Sequence, residues 1–178
     1  MSGLRACSEI QLSCSVSSDA SGMMTNIFVY GTLKTGQPNH HIMTKGVHGK
    51  ARFLGKGHTE EKYPMVIAGE YNIPYLLNIE GTGHHVVGEI YSVDDQLLQF
   101  LDEFEECPDI YQRSLKRIIV LEWEGNLGAP EEQAAADILE CFIYSTTTYK
   151  EEWLNLPTYE NYDSFGPHGL AYTEGDAC

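Results

Sequence analysis

Apolar residues in this chain come in short runs separated by glycine, proline and asparagine, a pattern typical of β-strands joined by turns. The runs are rich in β-branched and aromatic residues, which favour a pleated, half-buried surface. The pattern predicts strands over residues 26–30, 51–54, 65–68, 75–79, 86–93, 114–123 and 138–145. Two short helices are expected over 38–45, closed by Gly46, and over 151–156.

One segment, residues 94–106, has the apolar spacing of a longer amphipathic helix. Ser92 or Asp94 can cap its first turn, and Pro108 discourages its continuation. Many strands with only two or three short helices predict an α+β fold, a small mixed sheet rolled into a barrel with flanking short helices.

The length of 178 residues fits one domain with a sizeable core. We assign that domain to residues 25–172. Residues 1–24, rich in serine and small side chains, are expected to be a disordered extension, and 173–178 a C-terminal tail. Residues 124–137 are expected to form a mobile loop of low hydrophobicity.

The chain carries 26 acidic and 11 basic residues, for a net charge of −15. This balance argues against nucleic acid and anionic membranes as partners, and it leaves a small cationic or zwitterionic substrate open. No stretch approaches the length of a membrane span. The five cysteines are odd in number and scattered, which indicates reduced thiols and a cytoplasmic protein.

The first chemically informative segment is the strand Ile27-Phe28-Val29-Tyr30, which runs directly into Gly31-Thr32-Leu33-Lys34. Glycine at this point permits a tight turn or a left-handed conformation. The backbone N–H groups after such a turn have no strand partner and can point at an anion. We therefore interpret the turn as a candidate anion-binding site. The motif alone also fits an ordinary strand-turn, since Gly31 and Gly36 do not have Walker or Rossmann spacing.

The second informative residue is Glu105. On a helical wheel with Leu97 at zero, Leu101 lies at about 40° and Leu98 at about 100°, and Glu105 falls between them at about 80°. The wheel also places Phe100 and Phe104 on this apolar face, whereas Asp102, Glu103 and Glu106 fall toward solvent. Burial raises the pKa of a carboxyl group and makes it a better base near neutral pH.

A purely structural role for Glu105 stays open. Judged from the helical wheel alone, this structural role is favoured over a catalytic one. The carboxylate could pair with Arg113, Arg117 or a tyrosine, since structural pairs also perturb pKa values. The last turn could also fray, so that the wheel no longer applies.

Other candidate site residues are weaker. The pairs His40-His41 and His84-His85 lack the spacing of metal ligands, so no metal site is expected. Cys107 is interpreted as structural. The remaining candidates either shape a pocket or belong to the core and its turns: Tyr111, Arg113, Tyr144, Ser164 and His168.

The segment Phe28-Val29-Tyr30-Gly31-Thr32-Leu33-Lys34 resembles the signature of the γ-glutamyl cyclotransferase-like proteins. Further stretches, in the same order, resemble those members of the family that act on γ-glutamylamines: Gly36-Gln37-Pro38-Asn39-His40, Tyr63-Pro64, Ile67-Ala68-Gly69-Glu70, Asn72-Ile73-Pro74, Leu101-Asp102, Phe104-Glu105, Cys107-Pro108, Tyr111-Gln112-Arg113, Tyr162-Asp163-Ser164 and Gly166-Pro167-His168-Gly169. The resemblance covers residues 25–172, and the ordered set is highly specific.

The resemblance implies a mixed-sheet barrel without a cofactor. Its substrate-binding loop corresponds to Tyr30, Gly31, Thr32 and Leu33, and its catalytic glutamate to Glu105. The reaction it implies releases an amine from a γ-glutamylamine and forms 5-oxoproline. The favoured substrate it implies is γ-glutamyl-ε-lysine, left when transglutaminase-crosslinked proteins are degraded.

Two other functions remain open at this point. One is a cyclotransferase for γ-glutamyl-α-amino acids or glutathione, which a basic residue near the leaving group would favour. The other is a non-catalytic module that binds a small amino-acid ligand, against which the presence of Glu105 argues. We expect a monomer whose partner is a small-molecule substrate.

Overall fold

The structure is a computed structural model that describes residues 22–125 and 137–174. Seven strands, two α-helices and a 3-10 turn are described. The strands are β1 Thr25–Val29, β2 Ala51–Thr59, β3 Met65–Ala68, β4 Ile73–Leu76, β5 Val87–Val93, β6 Gln112–Trp123 and β7 Ile138–Ser145. The helices are α1 His41–Thr44 and α2 Asp95–Phe104, and the 3-10 turn is Glu151–Asn155.

Five strands close a barrel in the order β1-β5-β2-β6-β7. Neighbours are antiparallel except where β7 returns to β1, with Ile27 opposite Phe142 in parallel register. The hairpin β3–β4 is a separate two-stranded sheet, tied to the end of β7 by a bridge between Leu77 and Thr146. The predicted α+β fold, with a rolled mixed sheet and short flanking helices, is confirmed.

Strand β1 is buried on both faces, because the barrel interior covers one face and the helices cover the other. Phe28 joins the core inside the barrel, with alternate residues of the other strands. Ile27 and Val29 join a second core that includes residues of α1 and α2. The continuous apolar run of this strand follows from this double burial.

Helix α2 delivers its C-terminal end to the end of β1. Asp94 caps it by accepting a hydrogen bond from the Leu97 N–H at 2.9 Å, as one of the two predicted caps. Leu97 and Leu101 are fully buried, so this face of the helix holds it against the barrel. The helix ends at Phe104, two residues before the predicted end at Glu106.

Strand β2 runs five residues beyond its predicted end at Leu54, and its glycines explain the difference. A Cβ at Gly55 would lie 2.1 Å from the Glu122 carbonyl oxygen, and one at Gly57 would lie 2.5 Å from the Ile119 oxygen. Both glycines therefore permit close strand approach where the register shifts. In the sequence, the same two glycines are typical of a turn, so the predicted strand ended before them.

Residues 1–21, 126–136 and 175–178 are outside the described part of the chain. The predicted disordered extension falls among them except for residues 22–24, as do most of the predicted mobile loop and the end of the tail. Within 22–125 and 137–174, no helix combines the length and apolar character needed to cross a membrane.

Candidate active site

A pocket of about 230 Å³ opens where β1 ends. The turn after β1 forms one side, and the end of α2 with the residues that follow it forms another. Strand β4, Tyr144 of β7 and Tyr172 of the C-terminal segment complete the wall. The pocket thus joins the two features that the sequence singled out, since both the turn residues Tyr30–Leu33 and Glu105 line it.

Gly31 is required in the turn by close packing. Of the two conformations predicted for Gly31, the structure has the tight turn, since the φ of Gly31 is not positive; Gly36 has the left-handed conformation, with φ 79°. A Cβ at Gly31 would lie 2.8 Å from Pro74 Cγ. Glycine therefore lets the turn approach β4, and the two together narrow the pocket.

The carbonyl groups of the turn are used internally, whereas several of its N–H groups are free. The Gly31 oxygen accepts from the Lys34 N–H at 3.2 Å, and the Thr32 oxygen accepts from the Asn39 N–H at 2.9 Å. Asn39 Nδ2 also donates to Thr32 Oγ1 at 3.0 Å. Among the residues described, the N–H groups of Gly31, Thr32 and Leu33 donate to no protein acceptor. They remain available to an anionic ligand.

Lys34 fastens this turn to the C-terminal segment. Its Nζ donates to the Tyr162 carbonyl oxygen at 2.7 Å and also to Asn161 Oδ1. Burial lowers the pKa of this ammonium group to about 8. The side chain is therefore committed to the scaffold and does not line the pocket.

Glu105 follows directly after α2, with φ −86° and ψ 6°. Its N–H still donates to the Leu101 oxygen at 2.9 Å, which keeps the residue in the direction that the wheel gives. The side chain is partly buried against the pocket and accepts no hydrogen bond from any described protein group. Desolvation raises the pKa of the Glu105 carboxyl group to about 7.

The arginines considered as partners of Glu105 pair with other carboxylates. Arg113 Nη1 lies 3.4 Å from Asp102 Oδ2, and Arg117 Nη1 lies 2.9 Å from Glu60 Oε2. Asp102, expected to face solvent, is in fact partly buried.

Three of the five tyrosines that line the pocket donate to acceptors other than Glu105. Tyr30 Oη donates to the Tyr144 carbonyl oxygen at 2.7 Å, and Tyr111 Oη donates to the Pro74 oxygen at 3.0 Å. Tyr144 Oη donates to Asp102 Oδ1 at 2.8 Å. Burial raises the pKa of all three phenols, so they stay neutral. They surround the Glu105 carboxylate without neutralising it.

The weaker candidates from the tail do not line the pocket. Ser164 Oγ accepts from the Tyr172 N–H at 2.8 Å, and His168 Nε2 lies 2.7 Å from the Asp163 carbonyl oxygen. Their role is to fold the segment that delivers Tyr172. Among the described residues, no group of three His, Cys, Asp or Glu side chains could hold a metal ion.

Several pocket residues have no local sequence signal. Asn39, Ile73, Ile110 and Tyr172 come from four separate segments and meet only in the fold. Of the pocket tyrosines, Tyr30 was named from the strand that precedes the turn, and Tyr111 and Tyr144 were named as candidates to shape a pocket.

Comparison with known proteins places these residues in a family. The family model described as "Gamma-glutamyl cyclotransferase, AIG2-like" matches residues 27–164, a range that includes the turn and Glu105. A Rattus norvegicus protein named gamma-glutamylaminecyclotransferase is 58% identical over 149 residues, covering 84% of this chain and 96% of that protein. The Homo sapiens protein of the same name is 51% identical over 149 residues, with the same coverage of 84% and 96%. The crystal structure of an AIG2-like protein from Mus musculus is 54% identical with a TM-score of 0.79, covering 87% of this chain and 99% of that one.

Proposed function

This chain belongs to the γ-glutamyl cyclotransferase, AIG2-like family and is a cyclotransferase, and we propose from this premise that it cyclises γ-glutamylamines. The products are 5-oxoproline and the free amine. The observation that carries the proposal is the Glu105 carboxylate, which has no described protein partner and lines the same pocket as the free N–H groups of the turn.

The turn is proposed to hold the substrate's α-carboxylate. The N–H groups of Gly31, Thr32 and Leu33 donate charge-assisted hydrogen bonds to it. Backbone donors suit this task because they need no basic side chain and are fixed by the contacts of Asn39 and Lys34. The glutamyl group is thereby held in a folded conformation.

The substrate's own α-amine is the proposed nucleophile. Glu105 takes a proton from the α-ammonium, and the α-nitrogen then forms a bond to the γ-carbon. The bond between the γ-carbon and the leaving nitrogen breaks as Glu105 returns the proton to that nitrogen. The attacking nitrogen gives up its second proton to the released amine, which is thereby an ammonium ion, and Glu105 is again ionised. Intramolecular attack in a well-oriented conformer has an effective molarity of about 10⁵–10⁸ M.

One acid with a pKa of about 7 serves both proton transfers. It is ionised often enough to accept the proton and acidic enough to return it. The return is required because an alkylamine, with a conjugate-acid pKa of about 10.4, leaves poorly as an anion.

The pocket favours an alkylamine leaving group over an α-amino acid. An α-amino acid carries a carboxylate next to the leaving nitrogen, which a basic side chain would neutralise. None of the described residues that line the pocket is lysine, arginine or histidine. We therefore propose γ-glutamyl-ε-lysine, in which the lysine carboxylate is distant from the reacting bond, as a substrate.

The test is to incubate the purified protein with γ-glutamyl-ε-lysine, γ-glutamyl-alanine and glutathione and to follow 5-oxoproline and free amine by mass spectrometry. We expect turnover of the first substrate only. Glu105→Gln should lower kcat by about 10²–10⁴, because it keeps the shape and removes the proton transfer.

Other outcomes of this experiment are equally informative. Preference for γ-glutamyl-alanine or glutathione would assign a sister activity. A ligand-induced rise in melting temperature without any product would support a binding module. Near-normal turnover by Glu105→Gln would refute the role of that residue.

We also propose that the protein works as a monomer in the cytoplasm. The described cysteines, Cys107 and Cys141, are free thiols, which supports a reducing compartment. Light scattering after size-exclusion chromatography tests the first point, and cell fractionation tests the second.

A further inference from the structure

We propose that Glu106 determines leaving-group specificity by binding an ammonium group at the far end of the leaving amine. The inference rests on the proposed function and extends it to a substrate class: γ-glutamyl conjugates of diamines, preferred over those of uncharged alkylamines. Glu106 is the second carboxylate that lines the pocket, beside Glu105.

Glu106 is held at the pocket by a fixed backbone. Its N–H donates to the Glu103 oxygen at 3.1 Å, and its own oxygen accepts from the Ile110 N–H at 2.9 Å. Its φ of 49° is left-handed, a conformation that few non-glycine residues adopt. The turn therefore fixes where the side chain begins, while the residue itself stays exposed to solvent.

The carboxylate of Glu106 is free to bind a cation. It forms no ion pair with a described side chain, in contrast to Asp102, which Arg113 contacts. Its negative charge is also felt inside the pocket, because it contributes to raising the pKa of the Tyr75 phenol. Glu106 thus adds negative potential to a pocket in which none of the described lining residues is basic.

Apolar side chains lie around the two carboxylates. Phe104, Ile110 and Tyr75 line the pocket, and Phe104 and Ile110 keep 37% and 36% of their surface exposed. Such a wall suits a chain of methylene groups. A pocket with an acid at the reacting end, an apolar wall and a second carboxylate matches an alkyl chain that ends in an ammonium group.

Three conjugates that differ only at the far end of the leaving amine test the inference. They are γ-glutamyl-pentylamine, γ-glutamyl-1,5-diaminopentane and γ-glutamyl-ε-lysine, which end in a methyl group, an ammonium group, and an ammonium group beside a carboxylate. We expect kcat/KM to be about twofold to fivefold higher for the diamine conjugate than for the pentylamine conjugate, as for an exposed ion pair. The lysine conjugate should fall between them, because Glu106 repels its carboxylate.

Glu106→Gln should bring the diamine-to-pentylamine ratio of kcat/KM close to one, because it removes the charge that binds the terminal ammonium group. Glu103→Gln is the matched control, since Glu103 is exposed near the end of the same helix but does not line the pocket, and its ratio should equal that of the parent protein.

Equal use of the diamine and pentylamine conjugates by the parent protein, or a ratio unchanged in Glu106→Gln, would overturn the inference alone. If the parent protein turned over none of the three conjugates, the proposed function would be overturned, and this inference with it.

Discussion

The Glu105 carboxyl group lies among phenol rings and apolar side chains, and no described protein group compensates for the water it loses. Three phenols of the same pocket, those of Tyr30, Tyr111 and Tyr144, donate to other acceptors. The neutral form is therefore favoured relative to solution, and the pKa rises to about 7. The lack of a hydrogen-bond partner for Glu105 therefore has two consequences. It raises the pKa toward the range that suits the proposed base, and it makes the ionised carboxylate costly for the stability of the fold.

The first prediction is the pH dependence of kcat/KM for γ-glutamyl-ε-lysine. Because Glu105, as the proposed base, must be ionised to accept a proton, kcat/KM should rise tenfold per pH unit up to about pH 7 and then level off. A pH–rate profile measures this directly. A rise centred near 4.5, the ordinary value for a glutamate, would show that the ionisation of a buried Glu105 does not control the rate.

The second prediction concerns stability. The pKa of Glu105 is raised from 4.5 in the unfolded chain to about 7 in the fold, so the folded state binds the extra proton between these values. Stability contributed by the neutral acid is fully present below about pH 4.5 and is lost as pH rises to about 7. Glu105→Gln should therefore be more stable than the parent protein above pH 7, by about 3 kcal/mol at most.

Urea denaturation at pH 8 and at pH 4.5 measures this difference. The gain should be present at pH 8 and absent at pH 4.5. A variant that is less stable at pH 8 would mean that Glu105 is paired in the fold.

At the scale of elements, the site depends on the turn after β1 packing against β4. Gly31 contacts Pro74 more closely than any other residue type allows, and Asn39 and Lys34 hold the two ends of the turn. The N–H groups remain free because the carbonyl groups, rather than the donors, form the internal hydrogen bonds. The turn can thus be rigid and still bind an anion.

The third prediction uses two glycine substitutions to distinguish an effect on the pocket from an effect on stability. Gly31→Ala places a Cβ 2.8 Å from Pro74 Cγ, which should move the turn, cost about 1–3 kcal/mol and greatly lower kcat/KM. Gly36→Ala meets no atom within 4 Å but has φ +79°, so its strain should cost about 1–2 kcal/mol and leave kcat/KM nearly unchanged. Urea midpoints and kcat/KM for both variants test this. Full activity in Gly31→Ala would mean that the close approach to β4 is not needed.

The sequence predicts an element well when the residues that cause the element to form lie within the element itself. Strand β1 and helix α2 follow from apolar runs, a capping Asp94 and a period of 3.6, all contained in one segment. The wheel placed Glu105 correctly because its N–H still bonds one turn back. It misplaced Phe104, which is 37% exposed at the pocket mouth.

The pocket itself was beyond such reasoning, because it is assembled from distant segments. Nothing in the local pattern of β4 indicates that Pro74 meets Gly31, or that Tyr172 returns to the same place. These contacts depend on the closure of the barrel between β7 and β1 and on the tail bonds of Lys34 and Asn72. The local patterns singled out the turn and Glu105 one by one, and the resemblance of ordered motifs assigned both to one site.

At the scale of the whole molecule, the chain has a net charge of −15, and its pocket has two carboxylates and, among the described lining residues, no base. The γ-glutamyl group is zwitterionic, so the charge of a substrate is set by its leaving amine. A diamine conjugate carries a net charge of +1 and a pentylamine conjugate carries none. The electrostatic field of the protein should therefore attract the diamine conjugate and have no net effect on the pentylamine conjugate.

The last prediction follows from this difference. Raising the ionic strength from about 10 mM to 300 mM shortens the Debye length from about 30 Å to well below 10 Å. The kcat/KM of the diamine conjugate should fall severalfold over this range, whereas that of the pentylamine conjugate should stay constant. Glu106→Gln should keep a smaller salt dependence for the diamine conjugate, because it removes one local charge and leaves the rest of the molecular field. If Glu106→Gln and the parent protein showed the same salt dependence, the attraction would come from the whole surface and Glu106 would add nothing to it. If neither protein showed a salt dependence, the acidic surface would play no part in substrate binding.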